Sequence, residues 1–323
     1  MMTRVMPAAI FAAPQTIRVE QVALPEPGPH EVRIRLEGCG VCASNLPVWQ
    51  GRPWFAYPLE PGAPGHEGWG RIDAVGRAVR GLAVGERVAV LSSHAYAAYD
   101  IAPAEAVLPL PAALDEMPFP GEALGCTMNV FRRSAIQPGQ TVAIIGIGFL
   151  GALLTCLARQ AEAHVLAISR RAFALEMAQH FGAAATLRLD DPRQVIEQVR
   201  IFTEDTGCDC VIEAVGQQET LELAGELTRV RGRLIIAGYH QDGLRQVNMQ
   251  LWNWRGLDVI NAHERDPAVV REGMRLAVTA VTRGRLDPTP LYTHRVTLEQ
   301  LPEVFAAMQE RPDGFLKAWV AYA

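Results

Sequence analysis

The segment Thr141-Val-Ala-Ile-Ile-Gly146-Ile-Gly148-Phe149-Leu150-Gly151 restricts the fold of this chain more than any other stretch. Its first five residues read as a buried strand, and Leu150–Ala161 behind them has helical period. Between the two stands Gly-x-Gly-x-x-Gly. In such a turn the first glycine permits the tight bend and the second lets a pyrophosphate approach the backbone. The third lets helix and strand pack closely, while the helix N-terminus attracts the anion. Another apolar strand, Val165–Ile168, follows at the distance a βαβ unit requires. Gly146, Gly148, Phe149, Leu150 and Gly151 are thus the expected dinucleotide contacts; the bland alternative is a tight βα turn that binds nothing.

The same alternation continues. Cys210–Glu213, Leu234–Ala237 and Leu257–Ile260 are short apolar runs, and Arg171–Phe181, Pro192–Thr203 and Glu219–Leu227 have helical period. Continuous apolar strands between helices imply parallel strands covered on both faces. The first third differs: it is rich in Pro and Gly, and Ile17–Val22, Glu31–Glu37, Gly70–Val75 and Glu86–Leu91 read as antiparallel strands. A chain of 323 residues suits two cores. The expected fold class is α/β, a Rossmann doubly wound parallel sheet over 122–262 plus a mostly β domain from 1–121 and 263–323. Ligands of such sheets bind at the carboxyl ends of strands. Val215, Gly216, Ala237, Gly238 and Tyr239 are therefore expected to carry the nicotinamide end of a dinucleotide.

Charge and composition exclude several functions. The net charge is −5, so no basic excess exists to neutralise a nucleic-acid backbone. Of 30 basic residues only Lys317 is a lysine, so a Gly-Lys-Ser/Thr phosphate loop is absent. Six cysteines in this length do not make a disulfide scaffold. The start, Val5–Pro14, resembles a signal-peptide core but contains Pro7 and lacks a convincing cleavage site. The longest apolar run, Val142–Ala158, is shorter than a membrane span. A soluble cytoplasmic protein with no membrane or nucleic-acid partner is expected.

The strand after the glycine turn ends Val165-Leu-Ala-Ile-Ser169-Arg170-Arg171, with no carboxylate until Glu176. A site for NAD(H) usually ends this strand in Asp or Glu, which accepts from the ribose hydroxyls. A hydroxyl and two guanidinium forks suit a 2′-phosphate instead. NADP(H) is expected on Ser169, Arg170 and Arg171.

Gly38-Cys39-Gly-Val-Cys42-Ala-Ser44-Asn45, followed by Gly65-His66-Glu67-Gly68, resembles the zinc-dependent alcohol and polyol dehydrogenases of the medium-chain dehydrogenase/reductase superfamily. Leu24–Val32, Gln137–Val142, Trp254–Gly256 and Phe315–Lys317 extend the resemblance over essentially the whole chain. It implies a GroES-like catalytic domain, one catalytic zinc, and hydride transfer between NADP(H) and a secondary alcohol or its carbonyl. By the same resemblance Cys42, His66 and Cys126 ligate the zinc, with Glu67 and Glu122 as alternates. Three protein ligands leave a fourth position open, and thiolate is the softer donor, which favours Cys126. Ser44 stands where the family takes the proton from the alcohol, and Lys317 where it points a basic residue at the pyrophosphate.

Three departures from the family pattern stand out. Asn45 replaces an aspartate that supports the metal-bound histidine, and an amide is expected to accept from that ring. Pro47 replaces a proton-relaying histidine, which makes His263 a candidate relay. No cysteine lies between Cys42 and Cys126, so the four-cysteine structural-zinc lobe of many relatives is absent. Trp54, Phe55, Tyr57, Leu91 and His94 fall where the family lines its substrate pocket. The resemblance also implies a homo-oligomer, dimer or tetramer, paired through the edge strand near Leu257–Ile260. Two other readings stand beside the dehydrogenase: a zinc-free enone or quinone reductase of the same superfamily, and a cofactor-binding protein without activity.

Overall fold

The computed structural model describes residues 4–322. The chain divides into two compact units, Met1–Gly125 with Asp266–Ala323, and Cys126–Arg265.

The first unit begins with β1 (Val5–Ala13) and β2 (Thr16–Ala23), an antiparallel hairpin. The apolar start therefore buries Ala8, Ala9 and Phe11 in a strand. Next come β3 (Glu31–Gly40), the short helix α1 (Leu46–Trp49), and β4 (Glu67–Val75), β5 (Arg87–Val90), β6 (Tyr99–Pro103) and β7 (Val107–Pro109). Helix α2 (Gly121–Ser134), which periodicity did not reveal, spans the boundary between the units.

The second unit holds β8 (Thr141–Ile145), α3 (Phe149–Gln160), β9 (His164–Ser169), α4 (Ala172–His180), β10 (Ala185–Arg188), α5 (Pro192–Phe202), β11 (Cys208–Glu213), α6 (Gln218–Leu227), β12 (Thr228–Ile236), α7 (Met249–Arg255) and β13 (Asp258–Asn261). Its six strands run parallel in the order β10-β9-β8-β11-β12-β13. The sequential order reverses between β8 and β11, which is where a doubly wound sheet opens its crevice. The middle residues of the central strands β8, β9 and β11 are apolar and buried because helices cover both faces. Asp191 caps α5 by accepting from the Arg193 amide, with Pro192 as the first helical residue.

The chain returns to the first unit with α8 (Pro267–Thr282), β14 (His294–Val296), α9 (Leu301–Glu310) and β15 (Ala318–Ala321). Asp266-Pro267 repeats the cap and starts α8. The large sheet of this unit runs β14-β15-β3-β4-β5-β7, with β6 also on β3. Its core gathers Phe11, Ile34, Leu36, Trp49, Tyr96, Leu301 and Phe305. Trp49 stacks on Phe305 with ring centroids 5.6 Å apart.

Candidate metal centre and dinucleotide loop

The register of β3 decides what lies at its end. Gly40 pairs with Glu67 of β4 and with Trp319 of β15. Cys42, two residues beyond β3, therefore meets His66, one residue before β4. The ligating atoms of Cys42, His66 and Glu67 lie within 4.8 Å of one another. The cluster contains the alternate Glu67, and Cys126 lies on α2 one helical turn after Glu122.

Glu67 is fully buried, and its carboxylate lies across Gly40. A Cβ on Gly40 would sit 1.8 Å from Glu67 Oε2, so only glycine leaves room there. The carboxylate reaches the Lys317 ammonium, whose Nζ lies 2.7 Å from Oε1 and 2.6 Å from Oε2. The ammonium directs its hydrogen bond at Oε1, and Oε2 receives none. Burial alone would lower the Lys317 pKa; the charges of Glu67, Cys42 and Glu122 raise it.

His66 is held from one side. Its Nδ1 lies 3.0 Å from the Pro64 carbonyl, which can only accept, so Nδ1 donates there and Nε2 is the nitrogen left for a metal. The expected Asn45 contact to the ring does not form. Asn45 donates from Nδ2 to the same Pro64 carbonyl at 3.0 Å, and its Oδ1 is buried with no partner. The backbone carbonyl thus does what the family's aspartate would do, and the amide braces that carbonyl. Ser44 Oγ lies 3.4 Å from His66 Nε2. Burial alone would lower the imidazole pKa, but the Cys42 sulfur hydrogen-bonded to it, with Glu122 and Glu67 nearby, pushes it up to about 10. Burial raises the Glu122 carboxyl pKa, partly offset by His66 and Lys317.

One sulfur, one imidazole nitrogen and one carboxylate, gathered where negative groups favour a positive charge, form a donor set that fits a zinc ion, which would take the place of the proton on His66. Cys39 is buried in the core and its thiol donates to the Gly40 carbonyl; Cys208 and Cys210 are buried, with pKa values pushed up to about 12 by burial.

The residues expected to line a substrate pocket divide. Phe55 and Tyr57 pack against the hydrophobic core, and the Tyr57 hydroxyl donates to the Val48 carbonyl. Trp54 is exposed beside Phe55. Leu91 is half-buried, with its amide on the Ala106 carbonyl. His94 pairs with Glu60 at 3.0 Å.

In the second unit the glycine turn follows β8. Gly146 has φ +97°, and a Cβ on Gly151 would sit 2.1 Å from the Gly146 carbonyl. Gly148 has an ordinary φ of −100°, and a Cβ there would meet nothing within 4 Å. It caps α3 without a side-chain acceptor, ahead of Phe149 and Leu150. Ser169 is buried at the end of β9 and its Oγ accepts from the Arg171 amide at 3.3 Å. The Arg171 guanidinium reaches back to the Ile147 carbonyl inside the glycine turn at 3.4 Å, while Arg170 is exposed. His263 stacks on Tyr239, with centroids 5.2 Å apart and planes 17° from parallel.

One residue that sequence reading passed over is Glu213. It ends the apolar β11 and looked like the edge of a strand. Its carboxylate is fully buried, and it organises Val215, Gly216 and the segment Ala237–Tyr239. The only sequence signal was a carboxylate at the end of an otherwise apolar run.

Comparison with known proteins shows the family of the chain. Residues 28–112 match the family model of the alcohol dehydrogenase GroES-like domain, and residues 150–279 match that of the zinc-binding dehydrogenases. The chain belongs to the zinc-type medium-chain alcohol and polyol dehydrogenases. It is 25% identical to a sorbitol dehydrogenase of Halalkalibacterium halodurans over 327 residues, covering 90% of this chain and 92% of that one. It is 26% identical to an alcohol dehydrogenase of Cupriavidus necator, covering 98% of both. A zinc-binding dehydrogenase of Sinorhizobium meliloti, solved bound to NADP, superposes with a TM-score of 0.84 at 26% identity, covering 99% of this chain and 100% of that one. Among the described residues of this family member no helix is long and apolar enough to cross a membrane.

Proposed function

We propose that this protein is a zinc-dependent dehydrogenase that moves a hydride between NADP(H) and a secondary alcohol or polyol, or its ketone or aldehyde. The observation that carries the reading is the gathering of Cys42, His66 and Glu67 within 4.8 Å at the paired ends of β3 and β4. The sorbitol and alcohol dehydrogenases among its relatives support the substrate class. Cys42 Sγ and His66 Nε2 would hold the zinc, with Glu67, gathered beside them, as a candidate third donor. The resemblance names Cys126 for that place, and zinc retention in Cys126→Ser against Glu67→Gln decides between them. When bound, zinc polarises the substrate oxygen and the nicotinamide exchanges the hydride. The Ser44 hydroxyl takes the substrate's proton in the oxidative direction as it passes its own to solvent, and the reverse in the reductive one, and the Pro64 carbonyl fixes the His66 ring throughout.

The arrangement of Ser169 and Arg171 supports NADP(H) over NAD(H). NADPH is expected to bind more tightly than NADH, and Arg171→Ala to narrow the ratio about tenfold, the worth of one or two charge-assisted hydrogen bonds. Equal affinities in the wild type, by fluorescence titration, would remove the assignment. Gly148 supplies a second check. Gly148→Ala is expected to shift the melting temperature by no more than about 3 °C, because the space is open, yet to weaken the dinucleotide at least about tenfold. Unchanged affinity would mean that the open space is not where the pyrophosphate lies. Glycine is retained here for the ligand's sake, whereas at Gly151 the fold itself requires it.

The edge strand β13, with Val259 exposed, and the 87% exposed Trp254 on α7 support a homo-oligomer formed through that edge. A sedimentation mass of a single chain at micromolar concentration would remove that part of the reading.

A further inference from the structure

A closed ring of hydrogen bonds lies beneath the crevice of the parallel sheet. Glu213 ends β11, next to the point where the strand order reverses. Its Oε1 accepts from the Val215 amide, the Gly216 amide and the Thr220 hydroxyl, each at 2.8 Å. Its Oε2 lies 3.1 Å from His240 Nε2. His240 Nδ1 accepts from Arg245 Nε at 2.8 Å, and Arg245 Nη2 donates to the Gly216 carbonyl at 3.0 Å. The ring runs from Gly216 through Glu213, His240 and Arg245 back to Gly216. Asp242 also receives Arg245, which holds the guanidinium in place.

The main chain joins in. The amides of Ala237 and Gly238 both donate to the Glu213 carbonyl at 2.8 Å. Gly238 has no room for a side chain: a Cβ there would sit 2.2 Å from the Gly216 nitrogen and 2.5 Å from Glu213 Oε2. The loops after β11 and β12 are thus packed backbone to backbone and latched by one carboxylate. His240 must keep its proton on Nε2, because Nδ1 is occupied as an acceptor. A buried carboxylate with this many donors is an expensive arrangement for mere packing, since an apolar residue would fill the volume without desolvating a charge.

We infer that Glu213, His240 and Arg245 are positioning residues that set the shape of the nicotinamide wall of the crevice, holding Val215–Gly216 and Ala237–Tyr239 in the form the ring of the cofactor requires. This rests on the cofactor reading above. The ring lies on the β11–β12 side of the switch point, whereas Ser169 and Arg171 lie on the β9 side. The two halves of a dinucleotide should therefore respond differently to its loss.

The test compares each whole cofactor with the fragment that lacks nicotinamide, NADPH with 2′-phospho-ADP-ribose and NADH with ADP-ribose, by calorimetric titration of the full chain. His240→Ala is expected to weaken the dinucleotide about tenfold and to leave the fragment within about twofold, the loss of a charge-assisted hydrogen bond felt at one end only. His240→Gln, whose amide N–H can still reach Glu213, is expected to recover most of the loss. Arg245→Ala supplies the same comparison if His240→Ala does not fold. Equal weakening of dinucleotide and fragment would overturn the inference in favour of a general structural role, and no weakening of either would overturn it outright. A wild-type chain that binds neither dinucleotide overturns the cofactor reading, and this inference with it; a wild type that binds with the variants unaffected overturns this inference alone.

Discussion

Cys42→Ser is expected to lower turnover of an alcohol or ketone with NADPH by about 10³-fold or more, and to remove zinc from the purified protein. Polarisation by a bound metal contributes several kcal/mol to such a reaction, and each 1.4 kcal/mol is about a factor of ten. Serine keeps the shape of Cys42 but replaces a soft donor with a hydroxyl that zinc binds poorly. His66 and Glu67 alone leave too few protein ligands for a tight site. The fold should survive, because Cys42 is only partly buried and lies beyond the end of β3. A circular dichroism spectrum like that of the wild type, with zinc lost and turnover gone, is the expected combination. Unchanged turnover in this variant would favour the zinc-free enone or quinone reductase.

Lys317→Met is expected to destabilise the protein by about 3–5 kcal/mol, the cost of leaving one partner of a buried ion pair uncompensated. Methionine fills the volume of the lysine stem but supplies no charge. Glu67, fully buried, would then share the site with Cys42 and Glu122 and no ammonium. For a unit of this size the loss corresponds to a fall of roughly 10 °C in melting temperature. The double variant Lys317→Met/Glu67→Gln is expected to regain most of it, because the unpaired charge is gone. A single variant that melts within a degree or two of the wild type would mean the pair contributes little. Because Lys317 is the only lysine of the chain, no neighbouring lysine can take its place. The comparison is best made with zinc chelated, since a bound cation would stabilise the carboxylate in the lysine's absence.

Much of this arrangement was legible in the sequence. The glycine turn declared β8 and α3 because its three glycines each meet a different local need, and local needs leave local signals. Pro192–Thr203 was legible by its helical period, and Asp191 caps the helix that forms there. Val-Cys42 and Gly-His66-Glu67 pointed to a metal through the family resemblance they carry. What sequence spacing does not carry is the antiparallel register that brings Gly40 opposite Glu67 and Trp319. Without it the contact between Lys317 and Glu67, 250 residues apart, is invisible. The Asn45 expectation went astray for a similar reason: the Pro64 carbonyl, a backbone group with no sequence signature, reaches His66 Nδ1. Trp54, Phe55 and Tyr57 looked alike as aromatic residues, and only the packing separates the exposed Trp54 from Phe55 and Tyr57 on the core. Glu213 and His240 were silent because the loops they join are distant in sequence. Helix α2 was missed because Glu122, Cys126, Thr127 and Asn129 interrupt its apolar face.

The most direct measurement is the metal content of the purified wild-type chain by inductively coupled plasma mass spectrometry, prepared without chelators and with zinc resupplied. The cluster of Cys42, His66 and Glu67 predicts about one zinc per chain, a single site with no structural companion. A chain that holds no zinc under those conditions would contradict the account.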